Sequence, residues 1–326
     1  MVSVVMAGCG GGQSSSSGSG SGAKGVKVGV SMPTKSLQRW NQDGANMQQK
    51  LKDKGYDVDL QFAENKVETQ VSQIENMITK GCKVIIVGAI DGGSLSSVLD
   101  EAKNAGVKVI SYDRLIMNTD AVNYYATFDN YGVGKIQGQY IENKLGLKEG
   151  KGPFNFEITT GPLDDNNVVF FFKGAMDVLK PYIDKGQLVV KSGQMTREQC
   201  ATQNWDEAKA QERMDNILTT YYTNAKLDAV LCSNDSTSLG VQSALKSAGY
   251  NSADKPMPLV TGQDSNLPNV KAILAGEQAM SVFKDTRALA DEVVKMVDAM
   301  LSGQEPEVND TKSYNNGSKV VPAYLL

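Results

Sequence analysis

VKVGVSMPTKSLQRW (residues 26–40) couples an apolar, valine-rich run to a polar turn, and then to an arginine and a tryptophan where a helical pattern begins. Such a run, closed by proline and serine, reads as a strand leading into a loop and the first turn of a helix. The same alternation continues through the chain. YDVDLQF (56–62), KVIIVGA (83–89), VKVISY (107–112), FNFEITT (154–160), QLVVKS (187–192), LDAVLCS (227–233) and PLVTG (258–262) are further strand candidates, separated by helical patterns. Between the second and third, Val67, Val71, Ile74 and Ile78 fall on one helical face, and Asn65 with Glu68 predicts an N-cap and capping box. Strands so uniformly apolar, joined by helices, predict an α/β fold of parallel sheets covered on both faces. About four units precede residue 122 and about four follow residue 150, which predicts two doubly wound lobes. NYYATFDN (123–130) is then the first crossing between them, with LVTGQD and AMSVFKD (279–285) as return crossings.

The 326 residues, 40% hydrophobic and 21% charged, are enough for about two globular domains. Lysine and arginine total 33 against 37 acidic residues, a net charge of −4. That balance does not suit a nucleic acid partner, which is held largely through neutralised phosphates. Histidine is absent, removing the commonest general base and the commonest zinc ligand. Cys82, Cys200 and Cys232 have no CxxC spacing and read as small buried residues, so no metal or cofactor is expected. Residues 10–22 are almost entirely glycine and serine, as in a flexible tether. Before them, Met6-Ala7-Gly8-Cys9 resembles a bacterial lipobox, although the apolar segment ahead of it is short and lacks a basic n-region. The expectation is an extracytoplasmic domain held to the membrane only by lipid on Cys9, with residues 1–24 as lipobox and tether.

In open parallel sheets, ligands bind outside the carboxyl ends of the strands, where the loops converge. Arg39 and Trp40 follow the first strand, Asp113 and Arg114 the fourth, and Asp164, Asp165, Asn166 and Asn167 the run FNFEITT. Asn234 and Asp235 follow LDAVLCS, and Gln263 and Asp264 follow PLVTG. Each has a plain structural reading: helix caps for Asp164, Asn234 and Asp235, a surface ion pair for Asp113 and Arg114, core packing for Trp40. Their recurrence at one structural position favours a site, because a cap gains nothing from an arginine or tryptophan beside it. Planar carboxylates, amides and guanidinium groups match the adjacent hydroxyls of a monosaccharide, and flat aromatic rings match its C–H faces. Trp205 is the other tryptophan of the chain, and it opens a helix whose inner face would be Ala208, Met214 and Leu218. There is no dinucleotide or P-loop glycine pattern, no nucleophile elbow and no calcium-loop spacing.

These landmarks resemble the periplasmic sugar-binding proteins of ABC transporters, within them the xylose-binding and multiple-monosaccharide-binding branch. The likeness runs through MPTKSLQRW, QVSQIENMITKG, VISYDRLI, YYATFDN, DDNN, SND, GQD, VFKD and NNGSKVVPAYLL, over nearly all of residues 26–326. It implies two doubly wound lobes joined by a three-segment hinge (periplasmic binding protein type 1), with 25–128 plus 263–284 as one lobe and 129–262 plus 285–326 as the other. It implies a sugar of the xylose, glucose, galactose or arabinose class, gripped by Arg39, Trp40, Asp113 and Arg114 from one lobe. From the other come Asn166 or Asn167, Trp205 as opposing face, and Asn234, with Asp264 and Lys284 at the crossings. The implied partners are a membrane ABC permease and a chemoreceptor or sensor kinase, with the protein itself a monomer. The rivals are a receptor for another small polar ligand and a carbohydrate-active enzyme, against which the missing histidine and the adjacency of Asp164 and Asp165 both argue.

Overall fold

The structure is a computed structural model and describes residues 25–326. Its first part comprises β1 (Lys27–Met32), α1 (Gln38–Asp53), β2 (Asp57–Phe62), α2 (Val67–Thr79), β3 (Val84–Val87), α3 (Ser96–Asn104), β4 (Lys108–Tyr112) and β5 (Val122–Thr127). There follow α4 (Asn130–Leu145), β6 (Phe154–Thr159), α5 (Asn167–Asp184), β7 (Leu188–Val189), α6 (Arg197–Cys200), α7 (Glu207–Tyr221), β8 (Ala229–Cys232), α8 (Asp235–Ser247), β9 (Leu259–Val260) and α9 (Leu267–Leu274). The chain ends with α10 (Thr286–Leu301) and β10 (Ala323–Leu325).

The strands form two sheets, ordered β10-β5-β4-β3-β1-β2 and β7-β6-β8-β9, and every pairing within them is parallel. All four residues of β3, VIIV, are buried, as in a strand covered on both faces. On one face of the first sheet, Ile74, Met77, Leu95 and Leu99 bring α2 and α3 into the core; on the other, Met47, Leu51, Leu289 and Val293 bring α1 and α10. The second sheet is covered by α4 and α5 on one side and by α7 and α8 on the other. The helices α4 and α5 cross so closely that a Cβ on Gly134 would lie 2.0 Å from the Phe171 carbonyl oxygen, and one on Gly174 2.1 Å from that of Tyr131. This contact seats the start of α5, and with it Asn167, against the end of β5. The three cysteines of the described residues are free and buried, as their spacing implied.

Three sequence expectations are corrected. The division that gave 263–284 to the first lobe and 285–326 to the second is reversed by packing. Ala279 N donates to Val260 O and α9 packs on α8, so residues 263–281 stay with the second sheet. The later helix α10 lies against α1, and β10 pairs with β5, so the C-terminal segment completes the first lobe. Asn65 does not cap α2: its φ of 55° is incompatible with the extended backbone of an N-cap, and Lys66 holds that position without a side-chain bond. Finally, α7 begins after Trp205, with the Asp206 side chain accepting from Lys209 N, and its buried face is Ala210, Met214, Ile217 and Leu218; Ala208 is exposed.

The corrected lobe assignment has a direct consequence for stability. Leu289 is fully buried against the first sheet, so Leu289→Ala is expected to cost about 2–5 kcal/mol. In a denaturant titration followed by hydrogen exchange, the amides of β1, β3 and β4 should lose protection while those of β6 and β8 keep it.

Candidate functional site

The carboxyl ends of both sheets face one cleft. From the first lobe, the loop after β1 feeds directly into α1, so Arg39 and Trp40 sit in its first turn, 7% and 3% exposed. At the end of β4, Asp113 takes a left-handed φ of 61°, an uncommon conformation for a non-glycine residue and a mark of functional sites. Arg39 Nη2 lies 2.6 Å from Asp113 Oδ2 and 3.3 Å from Asp43 Oδ2, one turn along α1. The guanidinium carbons of Arg39 and Arg114 each lie 5.2 Å from the Trp40 ring centroid. Burial alone would lower the pKa of Arg39, but Asp113, Asp43 and Asp264 outweigh it and raise the pKa well above the usual value. For Asp113, burial pushes upward while Arg39, Lys284 and Arg114 prevail and hold the carboxyl below its ordinary range. Asp43 goes the other way, pushed up to about 6 by burial that Arg39 only partly offsets.

From the second lobe, the loop between β6 and α5 turns Asp165 and Asn167 inward. Asp165 Oδ2 accepts from Trp205 Nε1 at 3.1 Å and pairs with Arg114 Nε at 2.9 Å, tying the indole to a cation of the opposite lobe. Asn167 Nδ2 donates to Asp113 O at 2.9 Å, and its Oδ1 accepts from Tyr125 Oη at 3.1 Å, both contacts crossing between lobes. Asn234 is the N-cap of α8: its Oδ1 accepts from Thr237 N at 2.9 Å. The cap uses the oxygen and leaves the amide nitrogen as a donor for the cavity, so the capping and site readings of this residue are compatible. At the crossings, Lys284 is 4% exposed, 3.0 Å from Asp264 Oδ1, and lies over the rings of Phe128 and Phe171. Asp264 also lies 3.5 Å from Arg39 Nη1.

The result is a small, polar-lined cavity between the two lobes. Of the expected site residues, Arg39, Trp40, Asp113, Arg114, Asn167, Trp205, Asn234, Asp264 and Lys284 all line it. Asn166 does not; it precedes α5 and is half-buried outside the cavity. Cys9 lies outside the described residues. Lining residues outside the expected ligand-holding set are Leu37, Asp165, Phe171, Ser236, Gln263 and Asn266. Asp165 and Gln263 stood in the polar runs after their strands, but nothing in those runs distinguishes them from their neighbours. Gln263 Oε1 and Asn266 Oδ1 are buried and have no hydrogen-bond partner among the described residues, which makes them acceptors for a hydroxyl-bearing ligand. Trp40 is both core and wall, since it belongs to the packed cluster beneath β1 and also lines the cavity. Among the described residues, no group of three or more cysteine, aspartate or glutamate side chains is arranged to hold a metal ion. Nor is any helix among them long and apolar enough to cross a membrane.

Two parallel-sheet lobes closing on a polar, aromatic-walled cavity define a two-lobed solute-binding protein. Residues 28–305 match the family described as periplasmic binding protein domain, and the chain belongs to that family. It is 56% identical over 299 residues, 92% of this chain and 84% of the relative, to the multiple sugar-binding periplasmic receptor ChvE of Rhizobium radiobacter. It is 37% identical to the D-xylose-binding periplasmic protein of Escherichia coli, over 93% of this chain and 86% of that one. Among solved structures, an ABC transporter solute-binding protein from Clostridium phytofermentans with bound β-D-glucose superposes with a TM-score of 0.89 at 61% identity, covering 92% of this chain and 91% of the other. Within that family, the relatives it resembles here are named as sugar-binding proteins.

The Asn167 bonds to Asp113 and Tyr125 join the two lobes in this structure. Asn167→Ala is expected to weaken the closed state by about 1–2 kcal/mol. Small-angle scattering should then show a larger radius of gyration than wild type, with the melting temperature of each lobe little changed.

Proposed function

We propose that the protein captures a monosaccharide of the xylose, glucose, galactose or arabinose class between its lobes and hands it to a membrane ABC permease. The observation that carries this reading is the make-up of the cavity between the lobes. Two indoles line it with guanidinium, carboxylate and amide groups that offer both donors and acceptors, as a ring of adjacent hydroxyls requires. The sugar-bound relative at 61% identity supports the ligand class.

Capture proceeds by hinge closure. A sugar bound to Arg39, Asp113 and Arg114 of the first lobe gains the contacts of Asn167, Asn234 and Trp205 only when the second lobe swings in, so its differential affinity drives closure. Asp264 of the second lobe and Lys284, at the return crossing, touch the ligand beside the pivot. Trp40 and Trp205 cover the apolar faces of the ring. The site performs no chemistry in this reading; the protein is a receptor rather than an enzyme. Lipid on Cys9, followed by the Gly/Ser stalk, would hold the receptor at the outer face of the membrane beside its permease, with a chemoreceptor or sensor kinase as a second user of the closed form.

Titration of the purified protein with D-xylose, D-glucose, D-galactose and L-arabinose, followed by tryptophan fluorescence, tests the ligand class. A saturable response to at least one is expected, and silence towards all four would remove the sugar reading. Trp40→Ala and Asp264→Ala should each weaken binding by about 1–3 kcal/mol. Metabolic labelling with a fatty acid tests Cys9: wild type should carry label and Cys9→Ser should not.

A further inference from the structure

Behind the cavity, in the first turn of α8, lies a carboxylate that the binding reading does not use. Asp235 is fully buried and is not part of the cavity lining. No lysine or arginine pairs with it among the described residues. Three donors converge on it instead: Asn266 N at 2.8 Å, Ser281 Oγ at 2.8 Å and Gln278 Nε2 at 3.3 Å. Ser281 Oγ in turn accepts from Ser265 N at 3.0 Å. The segment hung from these bonds is the turn 264–266, whose Asp264 and Ser265 take left-handed φ values of 96° and 52°. Non-glycine residues hold such angles only where their surroundings over-determine them. The close approach also explains Gly262, where a Cβ would lie 2.2 Å from Asp235 Oδ1 and 2.5 Å from Gln278 Nε2.

We propose that Asp235 is a positioning residue for ligand binding, whose carboxylate suspends the strained turn 264–266 and so aims Asp264 and Asn266 into the cavity. The inference rests on the monosaccharide reading of that cavity. The first turn of α8 then serves the ligand twice, directly through Asn234 and at one remove through Asp235. An ionised group suits the position because all three partners, one backbone N–H and two side chains, donate, and because the helix N-terminus favours negative charge. Burial, reinforced by Asp264, pushes the carboxyl up to about 7. Asp264 on the turn is the charged group acting on it, and the Cys232 thiol on β8 is a titratable neighbour kept neutral by burial. The contacts from α9 and from residues 278–281, namely Asn266, Asn269, Gln278 and Ser281, are uncharged. Protonation turns one oxygen from acceptor to donor, against Asn266 N at Oδ2 or against Ser281 Oγ and Gln278 Nε2 at Oδ1, so sugar affinity should fall as the pH drops through about 7.

The test is calorimetric titration with D-glucose and D-xylose across about pH 5.5–8.5, on wild type, Asp235→Asn, Ser281→Ala, Asp264→Ala and the double variants. Asp235→Asn is expected to bind about tenfold more weakly at the upper end, and to lose the affinity step near pH 7 that wild type shows. Ser281→Ala should weaken binding in the same direction by a smaller factor. Each should add less to Asp264→Ala than it costs in wild type, because part of its effect runs through that residue and the rest through Asn266. Wild-type affinity and pH profile in both single variants, or a loss that stays undiminished in the Asp264→Ala background, would overturn the assignment. Should Asp235→Asn not fold, Ser281→Ala and its double variant decide by the same comparison. Wild type failing to bind either sugar would instead remove the functional reading on which the inference stands.

Discussion

The arrangement of this molecule follows from burying charge. Arg39, Arg114 and Lys284 share one enclosed cleft with Asp43, Asp113, Asp165 and Asp264, and all are nearly inaccessible. Ions so placed are tolerable only when paired and hydrogen-bonded, since each would cost several kcal/mol if left alone. Two of the pairs, Arg114 with Asp165 and Arg39 with Asp264, join side chains that reach the cleft from different segments of the fold. For these two pairs, pairing and lobe closure are one event, and a ligand able to share those donors and acceptors is favoured in the closed form.

The scaffold explains how so many polar groups reach one place. Parallel strands all end on the same side, and each contributes a short loop into a helix whose first turn can carry a functional side chain. Arg39 and Trp40 use the first turn of α1, Asn167 that of α5, and Asn234 the cap of α8. Backbone strain gathers at the same ends, in the left-handed conformations of Asp113, Trp205 and Asp264. Packing well away from the cleft, such as the glycine contact between α4 and α5, fixes the angles at which these loops meet.

Much of this could be read from the sequence because it is local. Strand runs such as KVIIVGA and LDAVLCS name their own conformation, and the residue after each names its own position. Nine of the ten expected ligand residues accordingly line the cavity. What escaped depends on tertiary contact. Asp164 and Asp165 are identical in type and adjacent, and only the fold turns Asp165 towards Arg114 and Trp205. Phe171 lies a full turn into α5, indistinguishable in sequence from its neighbours Phe170 and Phe172. The helix α10 has an apolar face that would fit either sheet, and its docking on α1 leaves no local mark. Asn65 carried a capping pattern that the backbone overrode, because its amide is used to bond Pro33 O at 2.9 Å.

In the proposed function, one sugar ring is enclosed by both lobes at this cavity. A crystal structure of the protein grown with D-glucose tests it most directly. A single pyranose is expected between Trp40 and Trp205, with hydroxyls bonded to Asp113 and Arg114 on one side and to Asn234 and Asp264 on the other. A sugar bound elsewhere on the surface, or a closed cleft holding none at saturating concentration, would contradict it.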